Sequence, residues 1–228
     1  MLPIISFAQA EARATVERLL KHDVSGWVLT GGFAIEAYLG GARPLNDIDF
    51  IVGAFDDIPE SLAQDFVLRH VHPNDPPGKT MLQCVDRETR VRVDVFRAYG
   101  SEIERSEATT PFRIISLQDL TARAARLSWD LAENVPLVAK YARDFLRLLK
   151  LSRPHELELA WQDHRKPHMP PSFAEAAREV VRLVEARSDL LVNLVYSTNV
   201  DAICERCKET PALRPAHPAQ VLALLGYC

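Results

Sequence analysis

Two aspartates one residue apart, Asp47 and Asp49, interrupt an otherwise apolar run, Asp47-Ile48-Asp49-Phe50-Ile51-Val52. An extended strand sends alternate side chains to opposite faces, so both carboxylates leave on one face. Like charges held this close repel, and protonation or a bound divalent cation relieves them. Upstream, Trp27-Val28-Leu29 reads as a short buried strand, and Gly31-Gly32 turns the chain into a helix through Ala34, Ile35, Ala37 and Tyr38. Gly40-Gly41 ends that helix in the way helices commonly stop. Glycines without β-carbons let the backbone approach an anion, and the helix N-terminus that follows favours one. Strand, glycine turn, helix and acidic strand in that order demand a mixed α/β front to the chain.

A third acid joins the pattern further on. Met81 to Val85 and Val91 to Phe96, separated by the polar stretch Asp86–Arg90, predict a β-hairpin. The second arm alternates strictly, with Val91, Val93 and Val95 on one side and Arg92, Asp94 and Phe96 on the other. A lone aspartate in a valine-rich strand is costly to bury. If this arm lies beside the Asp47–Asp49 strand, Asp94 joins a set of three carboxylates, which suits Mg²⁺ or Mn²⁺ completed by water and phosphate oxygens.

The remaining signals predict a helix over 7–22, another over Phe55 to Phe66, and a strand over Val67 to Val71. From Ser116 the pattern turns helical, and Ser116 with Asp119 resembles a capping box with Asp in place of Glu or Gln. Pro136, Pro154 and the 167–171 cluster divide the rest into three or four helices. The expected organisation is an α/β core over 1–115, a helical part over 116–200, and an extension over 201–228.

Composition narrows the class of partner. The net charge of −4 argues against binding nucleic acid through bulk electrostatics. Residues 1–120 hold 12 basic against 18 acidic side chains and residues 121–187 hold 12 against 9, an acidic front beside a mildly basic middle. Apolar runs are too short to span a bilayer, no secretory leader is expected, and four cysteines do not form a secreted disulfide framework. The expected setting is cytoplasmic.

The order Gly31-Gly32, Asp47-x-Asp49, Asp94 resembles the nucleotidyltransferase superfamily of the DNA polymerase β type, over residues 24 to 96. With its helical tail the chain looks like the minimal bacterial AbiEii-type toxin nucleotidyltransferases. The resemblance implies a polymerase β-like core with a mixed sheet, and transfer of a nucleoside monophosphate from a nucleoside triphosphate such as ATP to a hydroxyl. It makes Gly31 and Gly32 triphosphate ligands, Asp47 and Asp49 metal ligands, and Asp94 both a metal ligand and the acceptor's base. It leaves the acceptor open among tRNA, a small molecule and a protein, and it implies an antitoxin partner if the toxin branch applies.

Arg43, in the turn before the aspartates, is a candidate phosphate ligand. Lys140 with Asp144 matches a Lys/Arg-Asp element on the tail helix of the toxin relatives, or forms a plain i,i+4 ion pair. Cys204-x-x-Cys207 with His217 and Cys228 either binds structural Zn²⁺ or stays as free thiols. Cys84 reads as a core residue. His70, His72, His155, His164 and His168 lack ligand spacing and read as surface or capping residues. A non-catalytic module that binds nucleotide or a partner is the alternative, although such a module has no physical need for three clustered acids.

Overall fold

The computed structural model of the chain describes residues 3–41, 45, 47–70, 81–129 and 139–192. These residues form a mixed α/β fold, one six-stranded sheet with eight α-helices. The first helix, α1 (Ala10–Leu19), buries Ala12, Thr15, Val16 and Leu19 along one stripe. Strand β1 (Val28–Thr30) runs into α2 (Gly31–Leu39), which ends at Gly40 in the left-handed conformation. Strand β2 (Asp47–Val52) has the bounds its apolar run predicts.

The span Phe55 to Phe66 corrects the sequence reading. It is not one helix but a 3-10 turn at Phe55–Asp57 and a four-residue α3 (Leu62–Asp65), and Phe66 already opens β3 (Phe66–His70). Pro59 accounts for the break: proline lacks an N–H and disfavours helical backbone in the residue before it, and Ile58 is accordingly extended. The hairpin forms as β4 (Met81–Asp86) against β5 (Arg92–Arg97), and β6 (Arg113–Ile114) completes the sheet.

Strand order is β3-β4-β5-β2-β1-β6. The central pair β5 and β2 runs parallel, with antiparallel β4 on one side and antiparallel β1 on the other. Ile48, Phe50, Val93 and Val95 of this centre are fully buried, and Phe50 meets the Trp27 ring tilted and the Phe112 ring edge-on, at ring centroid distances of 5.3 and 4.8 Å. Each such side chain contributes about 1.5–3 kcal/mol by its burial, so the strands carrying the acids are anchored from their apolar face.

After β6 along the chain come α4 (Leu117–Ser128), α5 (Ala139–Leu149), a 3-10 turn at Pro154–Glu156, α6 (Leu157–His164), α7 (Phe173–Ala186) and α8 (Ser188–Val192). Ser116 caps α4 by accepting from the Asp119 N–H at 3.0 Å. Helix α4 packs on α5 and α6, and α2 packs on the sheet and on α5. Among the described residues no helix is long and apolar enough to cross a membrane.

Candidate active site

Register, more than proximity in sequence, assembles the acidic site. Cross-strand pairing aligns Thr30 with Asp49, Asp49 with Asp94, and Asp94 with Gln83. Directly paired residues share a face of the sheet, so these four polar side chains form one row across β1, β2, β5 and β4. Asp47, two residues before Asp49, pairs with Arg92, two before Asp94, which adds a second row on the same face. Asp47, Asp49 and Asp94 each offer a carboxylate oxygen, and these oxygens lie within 4.8 Å of one another.

Gly31 closes the site from the side of β1. Its φ of +62° is left-handed, and a Cβ built there would fall inside the carboxylate of Asp49. Only glycine permits both that backbone and that approach. The turn between β1 and α2 therefore lies directly against the second aspartate. The hydroxyl of Thr30, immediately before it, is buried with no hydrogen-bond partner. Gly32 follows as the second residue of α2.

The charges of the triad are only partly met. Arg92 bonds through Nη2 to Oδ2 of Asp47, and its Nε lies 3.2 Å from Oδ2 of Asp94. Gln83 donates from Nε2 to Oδ1 of Asp94 at 3.2 Å. Burial raises the Asp94 pKa, Arg92 lowers it and Asp47 raises it again, leaving it at about 6. Asp49 keeps some surface open, yet crowding by protein atoms, then the charges of Asp47 and Asp94, push it up to about 8. Arg123 on α4 draws Asp49 back down, and its guanidinium lies 5.0 Å from the centre of the Phe96 ring, with Nη1 buried and unpartnered.

Such a group of oxygen ligands, under-neutralised and converging, fits a hard divalent cation of the Mg²⁺ or Mn²⁺ kind. Sequence reading found the three acids and the glycine turn. It did not single out Arg92, Gln83, Thr30 or Arg123, although the alternation in β5 already set Arg92 on the face of Asp94. Lys140 stands half-buried on α5 with its ammonium 4.9 Å from the centre of the Tyr141 ring, and Asp144 one turn later is buried. Arg43 lies outside the described residues, as do Cys204, Cys207, His217 and Cys228. Cys84 is a fully buried core residue.

A second titratable cluster was not expected at all. His164 is buried rather than a surface or capping histidine, and its Nε2 lies 3.1 Å from Glu102 and 3.2 Å from Asp119. Arg105 donates to Asp119 from Nε at 2.9 Å and from Nη2 at 2.6 Å, and also reaches Asp163 at 2.7 Å. Ser116 donates to the same Asp119 carboxylate at 2.6 Å. Burial alone would raise the Asp119 pKa, but bonds from His164, Arg105 and Ser116 outweigh it and hold it at about 2. The residue read as a capping acid is thus the anchor of an ion network that joins the segment after β5 to α4 and α6.

No protein family profile and no curated protein matches this sequence. Among solved structures, an antigenic nucleotidyltransferase-like protein from Paracoccidioides brasiliensis is similar at 17% identity and a TM-score of 0.43, over 84% of this chain and 94% of the other. JHP933 from Helicobacter pylori is similar at 17% identity and a TM-score of 0.31, over 90% and 95%. Likenesses this distant define no family for the chain.

Proposed function

We propose that the chain is a divalent-metal-dependent nucleotidyltransferase, moving a nucleoside monophosphate from a nucleoside triphosphate to an acceptor hydroxyl. The observation that carries this reading is the Asp49–Asp94 register pair beneath the Gly31 turn, with Asp47 on the same face. Asp47, Asp49 and Asp94 would hold the ion. When bound, it polarises the phosphoryl oxygens and neutralises charge on the departing pyrophosphate.

The chain's own residues supply the rest. The Gly31-Gly32 turn and the start of α2 take the triphosphate, since the missing Cβ leaves the backbone open and the helix terminus favours anions. Arg123, with its Nη1 unpartnered, adds a cation facing the acids. Asp94 accepts the proton of the acceptor hydroxyl. The freed oxygen attacks the α-phosphorus as the bond to pyrophosphate breaks. Arg43 and Lys140 remain proposed phosphate ligands. The toxin role, with an antitoxin partner, rests on the helical tail and the Lys140–Asp144 spacing.

The test incubates each labelled nucleoside triphosphate and Mg²⁺ with total RNA, candidate small-molecule hydroxyl acceptors or protein, and compares wild type with Asp47→Asn. Label that moves to one acceptor class and is lost in the variant supports the proposal. Nucleotide binding without transfer to any class favours the non-catalytic alternative instead. Growth arrest on expression, relieved by Asp47→Asn, tests the toxin role separately.

A further inference from the structure

We infer that Arg92 is a resident counter-ion of the carboxylate triad, occupying the place a second cation would take. On this view the nucleotide-free protein takes a single divalent ion, which Asp47, Asp49 and Asp94 would hold. The inference rests on the metal-binding reading of the site and adds its stoichiometry.

Three observations carry it. Arg92 faces Asp47 in register and sits two residues from Asp94, so one side chain lies between two acids on neighbouring strands. Its Nη2 bonds to Asp47 and its Nε lies 3.2 Å from Asp94, whereas among the described residues it makes no ion pair with Asp49. Its side chain is only 17% exposed, so it is not a solvated surface arginine that happens to lie near. A guanidinium is always charged, planar and forked, which lets it span two carboxylates as a divalent ion would.

The charge balance then sets the count. Three carboxylates less the Arg92 guanidinium leave at most two negative charges, enough for no more than one divalent ion. A second ion would leave the half-buried site with an excess of positive charge and a desolvation cost, unless it arrived with an anionic triphosphate. Arg92 also covers oxygens that a second ion would need. Arg123, across from Asp49, opposes a second ion further.

The experiment measures Mn²⁺ binding to the nucleotide-free full chain, by the spin-resonance signal of free Mn²⁺, for wild type, Arg92→Gln and Arg92→Lys. Wild type is expected to bind one ion. Arg92→Gln is expected to bind the first about tenfold more tightly, because a unit charge a few ångströms away is removed, and to take a second. Mn²⁺ should also raise the melting temperature of Arg92→Gln more than that of wild type. Should Arg92→Gln fail to fold, Arg92→Lys carries the test: its single ammonium cannot span both acids, so a second, weaker site appears. Two ions on wild type, or affinity and stoichiometry unchanged or reduced in the variants, overturn the inference and leave the nucleotidyl-transfer reading standing. No Mn²⁺ on any of the three proteins overturns both.

Discussion

The site under Gly31 and the cluster under Gly100 are built from the same parts and reach opposite electrostatic states. In each, a glycine in the left-handed region (φ +62° and +48°) gives up its Cβ to the carboxylate of a distant aspartate, Asp49 and Asp163 respectively. Each gathers carboxylates around one arginine, Arg92 or Arg105. Yet Asp119 is held down at about 2 and Asp49 is driven up to about 8. The difference lies in donors. The Asp119 carboxylate receives hydrogen bonds from Arg105 and Ser116, with His164 Nε2 at 3.2 Å. Asp49 shares its space with two other acids, and Arg92 pairs with those rather than with it. In one cluster the fold saturates the central carboxylate, Asp119, with donors and so holds elements together. The other is left short of positive charge, and a bound cation would supply it.

The strongest way to break this contrast is to make the same substitution in both clusters. Asp119→Asn is expected to destabilise the protein by about 2–4 kcal/mol, because it strands the buried His164 and takes one of two acid partners from the half-buried Arg105. Asp49→Asn is expected instead to raise the melting temperature of the metal-free protein at pH 8, since it removes a carboxylate that the fold penalises. Thermal denaturation of both variants decides the matter; destabilisation by Asp49→Asn would put the two clusters in one class.

Activity should divide the other way. Loss of an outer partner of a metal ligand typically costs roughly 10–100-fold. Asp49→Asn, which removes a ligand itself, should reduce label transfer by more than that, while Asp119→Asn should act only through the fraction folded. Transfer assays at a temperature where both variants are folded test this.

The two glycines sharpen the comparison at smaller scale. Gly31→Ala and Gly100→Ala each force an L residue into left-handed backbone at about 1–2 kcal/mol, and each displaces a carboxylate. Only Gly31→Ala should also abolish the Mn²⁺-induced rise in melting temperature. Equal Mn²⁺ responses would remove the Gly31 turn from the site.

The pH profile is the subtlest test. A carboxylate with a raised folded pKa contributes stability below its unfolded value near 4 and loses it as pH rises to the folded value. For Asp49 that loss runs from about pH 4 to about 8. A carboxylate with a depressed pKa behaves oppositely, so the contribution of Asp119 is present above about pH 4 and is lost as the pH falls to about 2. Metal-free stability should therefore decline from pH 6 to 8, and saturating Mg²⁺ should flatten that decline. A profile unchanged by Mg²⁺ would count against the cation-seeking character of the first cluster.

Much of this was legible in the chain itself, for local reasons. The run Asp47–Val52 alternates over its first four residues, turns wholly apolar and ends where the strand ends, because period two and apolar neighbours are properties of adjacent residues. The glycine turn, the β4–β5 hairpin and the Ser116 cap belong to the same short range. The break within 55–66 is local as well: Ile58, Leu62 and Phe66 recur at helical spacing, but Pro59 stops a helix from running through them. His164 could not have been read from spacing, since its partners Glu102 and Asp119 lie 62 and 45 residues away.

By itself, the sequence determined which residues could carry charge into an apolar environment, and on which side of its own strand each would stand. Only the tertiary structure decided which acids would meet. Parallel pairing of β2 with β5 set Asp49 opposite Asp94 and Asp47 opposite Arg92, and α4 brought in Arg123. A one-residue slip in that register would send Asp94 to the apolar face, so the site exists because burial of Ile48, Phe50, Val93 and Val95 fixes the register.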